Sequence, residues 1–104
     1  MKQDKVLSML GMAARANRIA SGEFQTEHAV KSGAAQLVVV AEDASENTKK
    51  QFSNMCSFYQ VRQIVYGTRE SLGHSIGKEF RATLAVTDQG LADAVCKKLE
   101  KNDN

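Results

Sequence analysis

The chain has 104 residues, the length of one small domain, and its 42% apolar and 25% charged residues exclude a disordered chain. Fourteen Lys and Arg against twelve Asp and Glu leave a net charge of +2, which argues against an indiscriminate coat for polyanions and against an acidic tail protein. With six aromatics, no Trp and no Pro, the core must be filled by Ala, Val, Leu, Ile and Met.

Met1 to Lys5 lack the long apolar run and small-residue cleavage site of a signal peptide, and no stretch approaches the ~18 apolar residues of a membrane span. The expectation is a soluble, cytoplasmic protein with no membrane partner. Asp4 is suited to cap a first helix, in which Val6, Leu7, Leu10 and Ala14 recur at helical spacing and which Asn17 ends. Ile19-Ala20 reads as a short strand. Ser21-Gly22 is a turn opening a second helix that runs to Gly33, a residue suited to a left-handed C-cap. Gln36 to Ala41 reads as a buried strand. Ser45 caps a third helix with Phe52, Met55, Cys56 and Tyr59 on one stripe, and Val61 to Tyr66 is β-rich. Thr68 starts a short helix that carries Leu72 and Ile76 and ends at Gly77. Leu84 to Thr87 is a last strand, and Asp88 caps a final helix with Leu91, Val95 and Leu99 four residues apart. Residues 101–104 read as a frayed tail behind a domain spanning 1–100. Strands alternating with helices predict an α/β sandwich in one domain, with helices on both faces of a small sheet.

Enzyme chemistry finds few candidates. Cys56 and Cys96 lie within helical patterns and read as small buried hydrophobes, with no metal-ligand spacing near them. His74 and Ser75 are adjacent, so they do not face each other on a helix and make no triad. Glu42-Asp43 follows a strand but reads as the turn before a capped helix, and Gly67 to Gly77 matches neither phosphate-binding glycine pattern. The expectation is a protein without catalysis, cofactor, metal or small-molecule substrate.

Recognition finds more. At 100° per residue, Thr26, Ala29, Val30 and Gly33 form the core face of the second helix, and Phe24 falls nearly opposite, with Glu27, His28 and Lys31 around the outer side. An outward Phe24 either stacks on a ligand or packs under a loop. Gly22 permits close backbone approach to the helix's free N–H groups, and Gln25 adds two donors and an acceptor. Residues 73–81, Gly-His-Ser-Ile-Gly-Lys-Glu-Phe-Arg, place two glycines, two cations and an aromatic in a helix-to-strand loop. Either the loop meets an RNA backbone and an unstacked base, or Lys78 and Arg81 are merely solvated and Phe80 seals the core.

Leu10 to Ala16, Ser21 to Glu23, Leu37 to Ser45, Asn47 to Lys50, Leu72-Gly73, Ile76 to Lys78 and Val86 to Gly90 together resemble the L7Ae/L30e ribosomal-protein family over nearly the full length. The chain looks most like its small bacterial YlxQ-like branch. The resemblance implies a three-layer α-β-α sandwich around a four-stranded mixed sheet, and RNA binding without catalysis. Family members bind kink-turns, bent elements with tandem sheared G·A pairs, through a Gly-X-Asn-Glu-X-X-Lys segment opening the second helix. Here that segment is Gly22 to His28: Gly22 is kept and Gln25 is a near match, while Phe24 and His28 replace the Asn and Lys. Each such replacement costs about 1–3 kcal/mol of base readout. A second family contact, a loop over a flipped-out nucleotide, falls on Gly77 to Arg81.

The expected RNA-contacting set is therefore Gly22, Glu23, Phe24, Gln25, His28 and Lys31 with Gly77, Lys78, Glu79, Phe80 and Arg81. The expected partners are structured RNA, a kink-turn or ribosomal RNA, and the ribosome, with the protein as a monomer. The competing expectation gives the same fold a protein partner anchored by Phe24 and Phe80. Charge along the chain is uneven: residues 1–22 hold Lys2, Lys5, Arg15 and Arg18 against Asp4, a local +3 leading into Gly22. Residues 41–60 are net negative.

Overall fold

Asp4, in extended backbone, accepts a hydrogen bond from the Leu7 N–H at 3.0 Å and so starts α1 (Lys5–Arg15). It opens the part of the chain that the structure, a computed structural model, describes: residues 4–102. The readings placed on residues 1–3 and 103–104 lie outside the described residues. After α1 come β1 (Ile19–Ser21), α2 (Glu23–Ser32), β2 (Leu37–Val40), α3 (Glu46–Tyr59), β3 (Arg62–Val65), α4 (Arg69–Ser75), β4 (Thr83–Val86) and α5 (Gln89–Asn102).

Each boundary has a local cause. Gly33 takes the left-handed cap after α2, Ser45 accepts from Thr48 N–H at the start of α3, and Thr68 and Ser71 form a reciprocal capping box on α4. Asp88 accepts from the Leu91 N–H at 2.9 Å to start α5. That helix continues through Lys101 and Asn102, where the sequence reads as tail.

The sheet runs β1-β4-β2-β3, with β4 antiparallel to both neighbours and β3 parallel to β2. Helices α1, α4 and α5 pack together on one face, and α2 and α3 cover the other. The result is a three-layer α-β-α sandwich on a four-stranded mixed sheet. All eight residues of the two central strands are buried, which is why Leu37 to Val40 reads as an unbroken apolar run rather than an alternating one. Val6, Leu10, Val30, Phe52, Leu72 and Val95 supply the helix side of the core, all 0–1% exposed.

Several positions differ from the sequence expectation. On α1 it is Ala13 that is buried and Ala14 only half-buried, because α1 lies between α5 and α4 and is covered on a broader arc than one apolar stripe. Gly33 and Tyr59 are exposed, one capping the C-terminus of α2 and the other ending α3. β4 begins one residue early, at Thr83, whose buried hydroxyl donates to Thr26 Oγ1 at 3.1 Å; a polar residue joins a core strand because α2 satisfies it. Cys56 is buried as expected, but Cys96 is only partly so, and Arg62 Nη1 donates to its sulfur at 3.0 Å.

Candidate nucleic-acid interface

The first turn of α2 is built around Gly22. With φ of +90° it occupies a region that glycine tolerates and β-carbons do not, and it carries the chain from β1 into α2 with no side-chain cap. Its own N–H goes to the Thr83 carbonyl at 3.0 Å and its carbonyl accepts from Thr26 N–H at 2.9 Å. The N–H groups of Glu23, Phe24 and Gln25 take no acceptor among the described residues. They form the positive end of the helix dipole, facing outward.

Phe24 is 77% exposed, which excludes packing under a loop. Phe24, Glu27, His28 and Lys31 line a shallow depression of about 180 Å³ on the outer side of α2. Lys31, expected in the interface, bonds Glu27 through Nζ at 2.6 Å, and that hydrogen bond raises the Lys31 pKa. Lys31 lies about 10 Å along the helix from Phe24, so it contributes a neutralised patch rather than a point charge. Glu23, also expected in the interface, accepts from Thr48 Oγ1 at 3.2 Å; Thr48 in turn accepts from Ser45, so the carboxylate is held at the N-terminus of α3.

The loop after α4 lies against this surface. Gly73 makes its path possible: a Cβ there would meet the Glu79 carbonyl oxygen at 1.9 Å, so glycine alone lets the loop fold back on α4. Lys78 N–H bonds the Gly73 carbonyl at 2.8 Å and Arg81 N–H bonds that of Arg69 at 3.0 Å. Phe80 is 64% exposed, so it does not seal the core. Arg81 is more than a solvated cation: Nε donates to Ser21 Oγ at 3.2 Å and Nη1 to the Phe80 carbonyl at 2.8 Å. It braces the loop to the residue before Gly22. Lys78 and Gly77 are exposed, and Lys78 has no ionic partner among the described residues.

The two expected segments therefore meet through Arg81–Ser21 and Gly22–Thr83. Sequence reading missed the brace and the Glu23–Thr48 bond. Their partners stand 60 and 25 residues apart, and no local pattern announces such a pair. The surface offers a glycine-opened helix end, two exposed aromatic rings, the Gln25 amide and a cationic rim. Among the described residues no group of three or more His, Cys, Asp or Glu is arranged to hold a metal ion, and no helix is long and apolar enough to cross a membrane.

An α-β-α sandwich of this strand order with such a surface defines a class of small recognition domains. The chain matches the ribosomal protein L7Ae/L30e/S12e/Gadd45 family over residues 4–96 and belongs to that family. It is 41% identical over 92 residues to RNA-binding protein YlxQ of Bacillus subtilis (strain 168), covering 88% of this chain and 92% of that one. It is 30% identical over 90 residues to large ribosomal subunit protein eL30 of Methanoregula boonei, covering 86% and 91%. Among solved structures, a Bacillus halodurans C protein described as of unknown function superposes with a TM-score of 0.90 at 38% identity, covering 94% and 99%. A Giardia lamblia 15.5kD RNA binding protein superposes with a TM-score of 0.77, covering 97% and 90%, and at 18% identity it speaks for the fold alone.

Proposed function

We propose that the chain is a non-catalytic RNA-binding protein that recognises structured RNA, either a kink-turn-like element or ribosomal RNA. The observation that carries this is the juxtaposition of the α2 N-terminus at Gly22 with the Gly77–Arg81 loop, tied by Arg81 to Ser21. The RNA-binding names of relatives that match nearly the whole chain agree with it. In this reading Gly22 and the free N–H groups approach the RNA backbone, Gln25 takes a base edge, Phe24 stacks on an unpaired base, and Lys78 sits on a phosphate.

The deciding experiment is a gel shift with a standard kink-turn RNA, using the same RNA with its G·A pairs mutated as control. Preferential binding to the intact kink-turn supports base-specific recognition. Equal binding reduces the activity to shape and charge, and no binding to either RNA at low salt sinks the proposal.

The exposure of Phe24 and Phe80 favours one competing reading, a protein-interaction module with weak RNA affinity. Capture of a defined partner that survives nuclease and is insensitive to salt would select it.

A further inference from the structure

Next to the loop, but on the other face of the sheet from α2, helices α1 and α4 enclose an open groove in two adjoining parts of about 540 and 340 Å³. Gly11 is its floor. A Cβ there would stand 2.7 Å from the Ser75 carbonyl oxygen, so the two helices close this far only over a glycine. One end is lined by Asp4, Leu7 and Ser71, and the other reaches Gly77, where the Gly77–Arg81 loop begins. Arg15 and His74 line both parts.

The groove is polarised. At the far end the Asp4 carboxylate is occupied, accepting from Leu7 N–H at 3.0 Å and from the Tyr66 hydroxyl at 2.7 Å. At the loop end Arg15 lays Nη1 over Gly11, 3.5 Å from where a Cβ would be, yet neither the Arg15 nor the His74 side chain bonds another described residue. A guanidinium fork with no acceptor among the described residues, set in an open groove, is complementary to a phosphodiester. Ser75 fits the same ligand: its hydroxyl donates to the Leu72 carbonyl at 2.7 Å, which leaves its lone pairs to accept from a ribose 2′-hydroxyl.

We propose that this groove is a second RNA contact, which takes the backbone of a strand continuing past the Gly77–Arg81 loop, with Arg15 as its phosphate-binding residue and His74 beside it. The inference rests on the RNA-binding function proposed above and extends its footprint from α2 around the loop to α1. It also gives a role to the basic approach of the first 22 residues.

The test compares the full chain on two probes, a kink-turn RNA with stems of about one helical turn and the same RNA with its stems trimmed to the junction. The intact protein should prefer the long probe. Arg15→Gln should lower affinity for the long probe roughly five- to tenfold and reduce the slope of log affinity against log salt by about one, with little effect on the trimmed probe. Arg15→Lys keeps the charge but loses the fork, so it should keep the parent's salt slope and recover only part of the affinity for the long probe, whereas a packing role over Gly11 would weaken both probes alike. Equal binding of Arg15→Gln and parent to the long probe overturns the groove proposal and leaves the α2 surface standing. Failure of the parent to bind either probe overturns the RNA-binding function itself.

Discussion

Gln25 is exposed in the first turn of α2, where its amide can address a base edge with donors and an acceptor at once. Lys78, exposed on the loop, is a point charge. Gln25→Ala should therefore weaken binding to a kink-turn by about 1–3 kcal/mol and blunt the preference for intact G·A pairs. Lys78→Ala should weaken all RNAs alike and lower the salt slope by about one. Titrations of both variants at two salt concentrations would check this, and the reverse order would count against base readout. The cysteines make an independent residue-scale test. Burial pushes the Cys56 thiol up to about 11, so a thiol reagent at pH 8 should label Cys96 while Cys56 stays inert until the chain unfolds. The same shift makes stability depend on pH. Both states keep the proton below the ordinary thiol value. As the pH rises beyond it the unfolded chain ionises first, so stability falls until Cys56 ionises in the fold as well. Denaturant midpoints that decline from pH 8.5 to 10.5 more steeply in the parent than in Cys56→Ala would bear that out.

At the scale of elements, the surface depends on two attachments. Thr26 and Thr83 fasten α2 to β4 with a fully buried hydroxyl pair. Thr26→Val leaves the Thr83 hydroxyl without that partner and should cost about 1–3 kcal/mol in chemical denaturation, with Thr26→Ser recovering most of it. Gly73 fastens the loop to α4. Because Gly73→Ala drives a methyl into the Glu79 backbone, it should cost about 1–3 kcal/mol and weaken RNA binding beyond that loss, since the Arg81–Ser21 brace moves with the loop. Most elements were legible in the sequence because their boundaries are made locally: Asp4, Ser45, Thr68 and Asp88 are caps within three residues of the N–H they hold. The outward aim of Phe24 followed from helical phase alone. What stayed hidden was non-local. Nothing between Ser21 and Arg81 signals that they touch, Thr83 reads as a polar residue outside a strand until Thr26 satisfies it, and the Glu23–Thr48 bond depends on how α2 packs on α3. The family resemblance implied that both segments contact RNA, but not the bond that joins them.

Across the whole molecule, the +2 charge is the sum of matched and unmatched groups. Ion pairs match Lys31 to Glu27, Lys49 to Glu46, Arg62 to Asp93 and Arg69 to Asp43, around α2, α3, β3 and the start of α4. Arg15 and Lys78 carry no ionic partner among the described residues; Arg15 lines the groove and Lys78 stands on the loop next to Gly77. If Arg15, Lys78 and Arg81 are the phosphate contacts of the proposed footprint, about three in all, the plot of log affinity against log salt should have a slope no steeper than about −3. A slope of −6 or beyond would mean that the protein binds as a diffuse polycation. The sheet sharpens this further. Its outer strands, β1 and β3, offer only three and four residues of free backbone, and Arg62 at the start of β3 is drawn onto α5 by Cys96 and Asp93. Such short margins give a neighbouring strand little to pair with. The protein should therefore sediment as a single chain without RNA, and any partner must be recognised through side chains and helix ends, because the fold has almost no main-chain ladder left to share.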